Sequence, residues 1–293
     1  MKSIFFCLFF VFSVPCIHAQ MEDVMKQFEE LTKNKTGIPF GNNKAAGTYY
    51  NIRGFKMYAE TYGQGKPLLI IHGNSGSIVN FVNQIPYFSK KYKVIVADSR
   101  AQGKSADTGD SLSYEMMADD YAALLDAMKI DSAYVIGWSD GGINGLLLAI
   151  RHPEKVKKLA ITGANLSPDT TAVFNDVIEM VRPDYNRLKE KTQRTTEEKA
   201  QWKLMRLLLE EPHITTGDLH KIAVPTLVIG GDHDVIKPEH TLLIAQNIPQ
   251  SYLWIIPNSG HSTPVVYRNE FNKTIDEFFT RPYRVITQQA RFF

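Results

Sequence analysis

Apolar positions along this chain follow two rhythms. Continuous apolar runs occur in PLLIIHG from Pro67, KVIVAD from Lys93, SAYVIGW from Ser132, VKKLAITGA from Val156, PTLVIGG from Pro225 and SYLWIIP from Ser251. Runs of this length, bounded by turn residues, are expected of strands buried on both faces. Between them lie helical patterns: Val79, Phe81, Val82, Ile85 and Phe88; residues 113–129; INGLLLAIRH, stopped by Pro153; a segment after Pro238; and Phe271 to Phe279. Ahead of the first run, TYYNIRG and FKMYAETYG are two stretches of β-formers separated by a glycine, which predicts a hairpin. Alternating strands and helices of this size predict an α/β fold with a mostly parallel, doubly wound sheet of eight strands.

The alternation breaks between residues 165 and 216. Val173, Phe174, Val177, Ile178 and Val181 form one helical stripe, and Thr195 with Glu198 has the spacing of a capping box. Trp202, Met205, Leu208 and Leu209 are the expected apolar face of that second helix. This insertion is expected to be a helical cap, 165–216, over a core formed by 48–164 and 217–281. Val24, Met25, Phe28 and Leu31 predict an amphipathic helix within a 20–47 linker, and 282–293 is a tail with no interpretable pattern.

The start of the chain departs from all of this. Lys2 precedes IFFCLFFVFSV, and Ile17-His18-Ala19 leads to Gln20, the order of a secretory signal peptide over 1–19 and too short for a stable membrane span. Export to the periplasm or the exterior is therefore expected. Both cysteines, Cys7 and Cys16, lie in that leader, so the mature chain would hold no disulfide, zinc–thiolate site or cysteine nucleophile. Lipid attachment at Cys16 is disfavoured by Pro15 directly before it. At 44% hydrophobic and 22% charged the chain has an ordinary globular composition, and its net charge of +2 points to neither nucleic acid nor a charged membrane surface.

One segment carries chemistry. Gly137-Trp138-Ser139-Asp140-Gly141 fits G-x-S-x-G, a pattern that chance produces in roughly one chain in ten of this length, so its setting decides. A predicted strand precedes it and a predicted helix follows, as a nucleophile on a tight strand-to-helix turn requires. A serine hydroxyl needs a base within hydrogen-bond reach and a carboxylate to hold that base in one tautomer. Asp232-His233-Asp234 follows one later strand and Asn258-Ser259-Gly260-His261 the next. We assign Ser139 as nucleophile, His261 as base, and Asp234 rather than Asp232 as the orienting acid, from its spacing after Gly231. Oxyanion donors are expected at the backbone N–H of Asp140 and, after PLLIIHG, of Asn74, each worth roughly 3 kcal/mol of barrier. His72 is expected to shape the turn. His152, His213, His220 and His240 lack metal-ligand spacing, and neither a metal nor a cofactor is called for.

With HGN, DSRAQGKS, GWSDGG, GGDHD and GH in order, residues 48 to 280 resemble the α/β-hydrolases. Arg100-Ala101-Gln102-Gly103 departs from the Arg-Gly-His/Tyr-Gly common in that family. GWSDGG followed by LAITGAN is similar to the biphenyl-hydrolase-like amino-acid ester hydrolases of the valacyclovir hydrolase type. That resemblance implies a small-molecule ester substrate and gives the Asp140 carboxylate the task of holding an α-ammonium group. The competing account of Asp140 is a small acid at the favourable end of a helix dipole. Amide or carbon–carbon bond hydrolysis on the same residues, and a non-catalytic ligand receptor, remain the alternatives.

Overall fold

A computed structural model describes residues 25–286 and 289–292, so the predicted leader lies outside the described residues. One sheet holds eight strands: β1 (Gly47–Ile52), β2 (Phe55–Tyr62), β3 (Lys66–Ile71), β4 (Tyr92–Ala97), β5 (Ala133–Trp138), β6 (Val156–Thr162), β7 (Thr226–Gly231) and β8 (Ser251–Ile256). Their spatial order is β1-β2-β4-β3-β5-β6-β7-β8. The expected hairpin pairs Ile52 with Phe55, β2 also runs antiparallel to β4, and the pairings from β4 to β8 are parallel. The helices are α1 (25–32), α2 (Ile85–Phe88), α3 (Tyr114–Ala127), α4 (Asp140–Arg151), α5 (Asn175–Lys189), α6 (Thr196–Glu210), α7 (Thr216–Leu219), α8 (Pro238–Asn247), α9 (Thr263–Val266) and α10 (Arg268–Thr280).

Strand periodicity divides the apolar runs between two cores. Leu69, Ile71, Val135, Leu159, Ile161 and Val228 join Tyr121 and Leu125 of α3 and Ile143 and Leu146 of α4 on one face. Leu68, Ile70, Val94, Val96, Ile136, Leu227 and Ile229 meet Phe271, Ile275 and Phe279 of α10 on the other. Each Leu or Ile so enclosed contributes roughly 2 kcal/mol of transfer free energy, which is why both faces of the parallel strands are apolar. From β3 the chain crosses to β4 on one side, and from β5 onward it builds the other side. The carboxyl ends of β3 and β5 therefore flank the point where the winding reverses, the position at which open α/β sheets form a crevice.

Two expectations change. The predicted helix over 79–88 is a 3₁₀ turn, Ile78–Phe81, followed by the single turn of α2. Pro86 has no N–H for a continuous ladder, so the apolar spacing marks burial without marking a helix. Ile78, Phe81, Ile85 and Phe88 are all buried, and Val79 is exposed. In α6 the capping box forms at Thr195 and Glu198, but the most buried positions are Lys203, Leu204 and Leu207. Trp202, Met205, Leu208 and Leu209 are only half-buried. Leu204 and Leu207 enter the main core, while the Trp202 ring packs beside the guanidinium groups of Arg194 and Arg206 at 4.6 and 5.6 Å. The predicted stripe of α1 is shallow: Met25 is exposed, Phe28 and Leu31 are half-buried, and Val24 lies outside the described residues. The tail docks on β8, with Tyr283 edge-on to Tyr252 and the Arg284 N–H donating to the Tyr252 hydroxyl. Among the described residues, no helix is long and apolar enough to cross a membrane.

Candidate active site

Ser139 sits between β5 and α4 with φ +58° and ψ −122°, a backbone conformation that side chains rarely adopt. Two glycines make the turn possible. A Cβ at Gly137 would come 2.1 Å from the Gly141 carbonyl oxygen, and a Cβ at Gly141 would come 2.0 Å from that of Ile71. The turn is tied down where the Ser139 N–H donates to the Thr162 carbonyl at 2.8 Å and the Gly142 N–H donates to the Ser139 carbonyl at 2.7 Å. Because α4 starts at Asp140, its free N–H groups and the positive end of its dipole lie beside the serine.

Two loops from the far half of the sheet meet this serine. His261, after β8, has Nε2 2.9 Å from Ser139 Oγ and Nδ1 2.6 Å from Asp234 Oδ1, and Asp234 follows β7. Asp234 is fully enclosed, and its Oδ1 also accepts the Ile236 N–H at 3.1 Å. Burial opposes its ionisation, yet the charge and hydrogen bond of His261, with backbone N–H groups, hold its carboxyl below the ordinary carboxylate range. Asp232 faces elsewhere: its Oδ1 accepts the Ser259 N–H at 3.0 Å and pairs with the exposed His233, so it braces the loop that carries His261. The structure thus brings Ser139, His261 and Asp234 together, in the combination the spacing predicts.

Positions to which the motifs assign no role complete this geometry. Gly163 adopts φ +64°, and a Cβ there would lie 2.7 Å from His261 Cε1, so the imidazole fits because residue 163 has no side chain. Trp138 Nε1 donates to the His261 carbonyl at 2.9 Å, and the Thr162 and Thr263 hydroxyls meet at 2.7 Å. Glycine directly after the β6 run is the available signal for Gly163; nothing local marks the Trp138 clamp.

Gly73 and Asn74 run beside the serine: a Cβ on Gly73 would lie 3.0 Å from Ser139 Cβ and 3.6 Å from its Oγ. His72 plays the expected structural part. Its Nε2 accepts the Ser99 N–H at 2.9 Å, which leaves the ring proton on Nδ1 to donate to the Gly73 carbonyl at 2.7 Å, and burial holds its pKa down. Asp140 is 3% exposed, and its Oδ2 accepts from Asn74 Nδ2 at 2.9 Å. Burial pushes its carboxyl up to about 6, against hydrogen bonds from Asn74 and Tyr114 and the nearby His261, which pull it down. His240 is a core histidine accepting the Leu166 N–H, while His213 and His220 are exposed.

The Asp140 shift has a consequence for stability. Its folded pKa stands above the ordinary 3.8, so between about pH 4 and 6 the folded chain holds a proton that the unfolded chain has released. Its contribution to stability is complete below that window and lost as pH rises through it, by about 3 kcal/mol at the full shift. Urea unfolding of Asp140→Asn and the parent should show the variant gaining relative stability from pH 4 to pH 7. A difference that stays constant with pH would contradict a raised Asp140 pKa.

Comparison with known proteins agrees with this architecture. Residues 66–199 match the family model of the alpha/beta hydrolase fold. Over 247 residues the chain is 26% identical to mouse (Mus musculus) "Serine hydrolase BPHL", covering 78% of this chain and 84% of that protein. It is 25% identical over 256 residues to "Putative carbamate hydrolase RutD" of Caulobacter sp. (strain K31), covering 76% and 96% of the two chains. A solved structure described as "Est816 as an N-Acyl homoserine lactone degrading enzyme" superimposes with a TM-score of 0.64 at 27% identity, over 79% of this chain and all of that one. With its eight-stranded sheet, its serine turn at the winding reversal and these relatives, the chain has the α/β-hydrolase fold.

Proposed function

We propose that the chain is a serine hydrolase that cleaves carboxylic esters through an acyl-enzyme. The observation that carries this reading is the continuous link from Asp234 Oδ1 through His261 to Ser139 Oγ, at 2.6 and 2.9 Å. Ser139 Oγ attacks the acyl carbon while His261 Nε2 takes its proton and passes it to the departing alkoxide. His261 then removes a proton from water as it attacks the acyl carbon, and gives that proton to Ser139 Oγ as the acyl–Oγ bond breaks and the acid product leaves. Asp234 holds the Nδ1–H tautomer and stabilises the imidazolium. The N–H groups of Asp140 and Asn74 receive the oxyanion of each tetrahedral intermediate.

The substrate reading goes one step further, to esters bearing an α-amino group. Asp140 offers a carboxylate next to the nucleophile with acceptor capacity beyond its bonds from Asn74 Nδ2 and the Tyr114 hydroxyl. With its pKa at about 6, the attraction needs a pH above that value, and it fades once the substrate amine loses its proton near pH 8. A panel of matched esters with and without an α-amino group should therefore show a preference in kcat/KM that peaks between about pH 6 and 8. In Asp140→Asn that preference should fall to near unity. Equal ratios in parent and variant would remove the amino-ester reading and leave the esterase reading standing. The likeness to a putative carbamate hydrolase puts carbamates and amides in the same panel, and faster turnover of those would replace the ester assignment.

A further inference from the structure

The cap and the loop after β3 are joined at one side chain. Asn74 Nδ2 donates to Asp140 Oδ2 at 2.9 Å and to the carbonyl of Leu204, inside cap helix α6, at 3.1 Å. Both protons of that nitrogen are thereby used. Ser75 Oγ donates to Asn74 Oδ1 at 2.9 Å, which sets the orientation of the amide. A helical carbonyl has a second lone pair beyond the one its own ladder uses, and here Asn74 takes it.

The neighbouring residue fixes where α6 lies. Lys203 is 3% exposed, and its Nζ donates to the Gly109 carbonyl at 2.7 Å and to Asp107 Oδ2 at 3.1 Å. Asp107 Oδ1 accepts from Arg100 Nη1 at 3.1 Å, and Asp120 grips Arg100 through two bonds of 2.7 Å. A buried ammonium is tolerated only where oxygens receive it, so Lys203 permits one seating of α6 on the core. In that seating the Leu204 carbonyl faces Asn74.

We propose that the Asn74 carboxamide is a positioning residue that couples the seating of α6 to the Gly73–Ser75 loop. With Lys203 latched, the amide is held between Leu204 and Asp140, and the loop backbone is pressed against Ser139. With α6 lifted, the amide loses one of its two acceptors and the loop relaxes. The kinetic consequence rests on the reading of the Asn74 N–H as an oxyanion donor; the mechanical coupling does not.

Hydrogen–deuterium exchange on the full chain, paired with ester kinetics, tests this. Asn74→Ala should speed exchange across 196–210 about tenfold, and Lys203→Met should do the same across 72–78, since coupling between two sites is reciprocal. Asn74→Asp keeps the size and deletes the donors, so it reports the same coupling should Lys203→Met fail to fold. On a small aryl ester, Asn74→Ala should lower kcat by about 10- to 100-fold with KM little changed. The double variant should lose no more than the worse single one, because both break one linkage. Unchanged exchange across 196–210 in both Asn74 variants, or across 72–78 in a folded Lys203→Met, overturns the proposal. A parent that exchanges as expected in these comparisons but hydrolyses no ester leaves the coupling in place and overturns the esterase reading instead.

Discussion

Ser139→Ala is expected to lower kcat/KM on a small aryl ester by about 10⁴- to 10⁶-fold, the largest change any single substitution should produce. The hydroxyl is the atom that would form the acyl bond, and His261 Nε2 lies 2.9 Å from it. Alanine removes it while keeping the backbone at φ +58°, so the fold-defining contacts of the turn, to Thr162 and Gly142, persist. The melting temperature should accordingly change little. Remaining turnover would come from binding and from the oxyanion donors, which do not depend on Oγ. Steady-state kinetics together with labelling by a fluorophosphonate checks this: the parent should gain one adduct at Ser139 and the variant none. Turnover within tenfold of the parent would end the nucleophile assignment, and an unlabelled, inactive parent would favour a ligand-binding role for the fold.

Asp234→Asn comes second, with kcat expected to fall by about 10⁴-fold. Asp234 accepts the Nδ1–H of His261 at 2.6 Å and is enclosed on all sides. An asparagine of the same shape can present its NH₂ to the ring, which turns the proton onto Nε2, where the serine needs a lone pair. It also removes the negative charge that would stabilise the imidazolium. The comparison with Asp232→Asn is the sharper part of the experiment. Asp232 lies two residues away, but its oxygen receives the Ser259 N–H, a bond that an asparagine carbonyl can still accept. Asp232→Asn should retain kcat within about tenfold of the parent, with some loss of stability. If the two variants fall equally, Asp234 has no special claim on His261.

Much of this arrangement is legible in the order of residues alone. The apolar runs stop where β3, β5, β7 and β8 end, and the residues just past those ends are the ones that gather: Asn74, Ser139, Asp234 and His261. That agreement has a local cause, since a strand buried on both faces needs a continuous apolar run and a turn beyond it needs glycine, aspartate or asparagine. Over 79–88 the same logic finds the buried Phe81, Val82, Ile85 and Phe88, though not the exposed Val79, and it misses the conformation, because Pro86 ends a ladder that apolar spacing cannot see.

The helical insertion between β6 and β7 shows the opposite limit. Its helices are visible in the pattern, and the capping box at Thr195 forms as its spacing implies. Which face of α6 turns inward is not visible there, because Lys203 is buried only by virtue of Asp107 and Gly109, nearly a hundred residues earlier. Asp140 is the same kind of case: its place in the motif is sequence, while its pKa of about 6 comes from burial beside Asn74 and Tyr114.

From the sequence by itself come the strand–helix alternation, the eight-stranded α/β class and the choice of Ser139, Asp234 and His261 as candidates, each read from runs and turns of about a dozen residues taken in chain order. Only the tertiary structure decides that Gly163 leaves room for the imidazole, that Trp138 holds its backbone, and that the Asn74 amide meets α6. The physical reason is distance along the chain. Hydrophobic period and turn chemistry are local, whereas an approach between side chains 100 residues apart depends on strand order and helix seating, which no local pattern records.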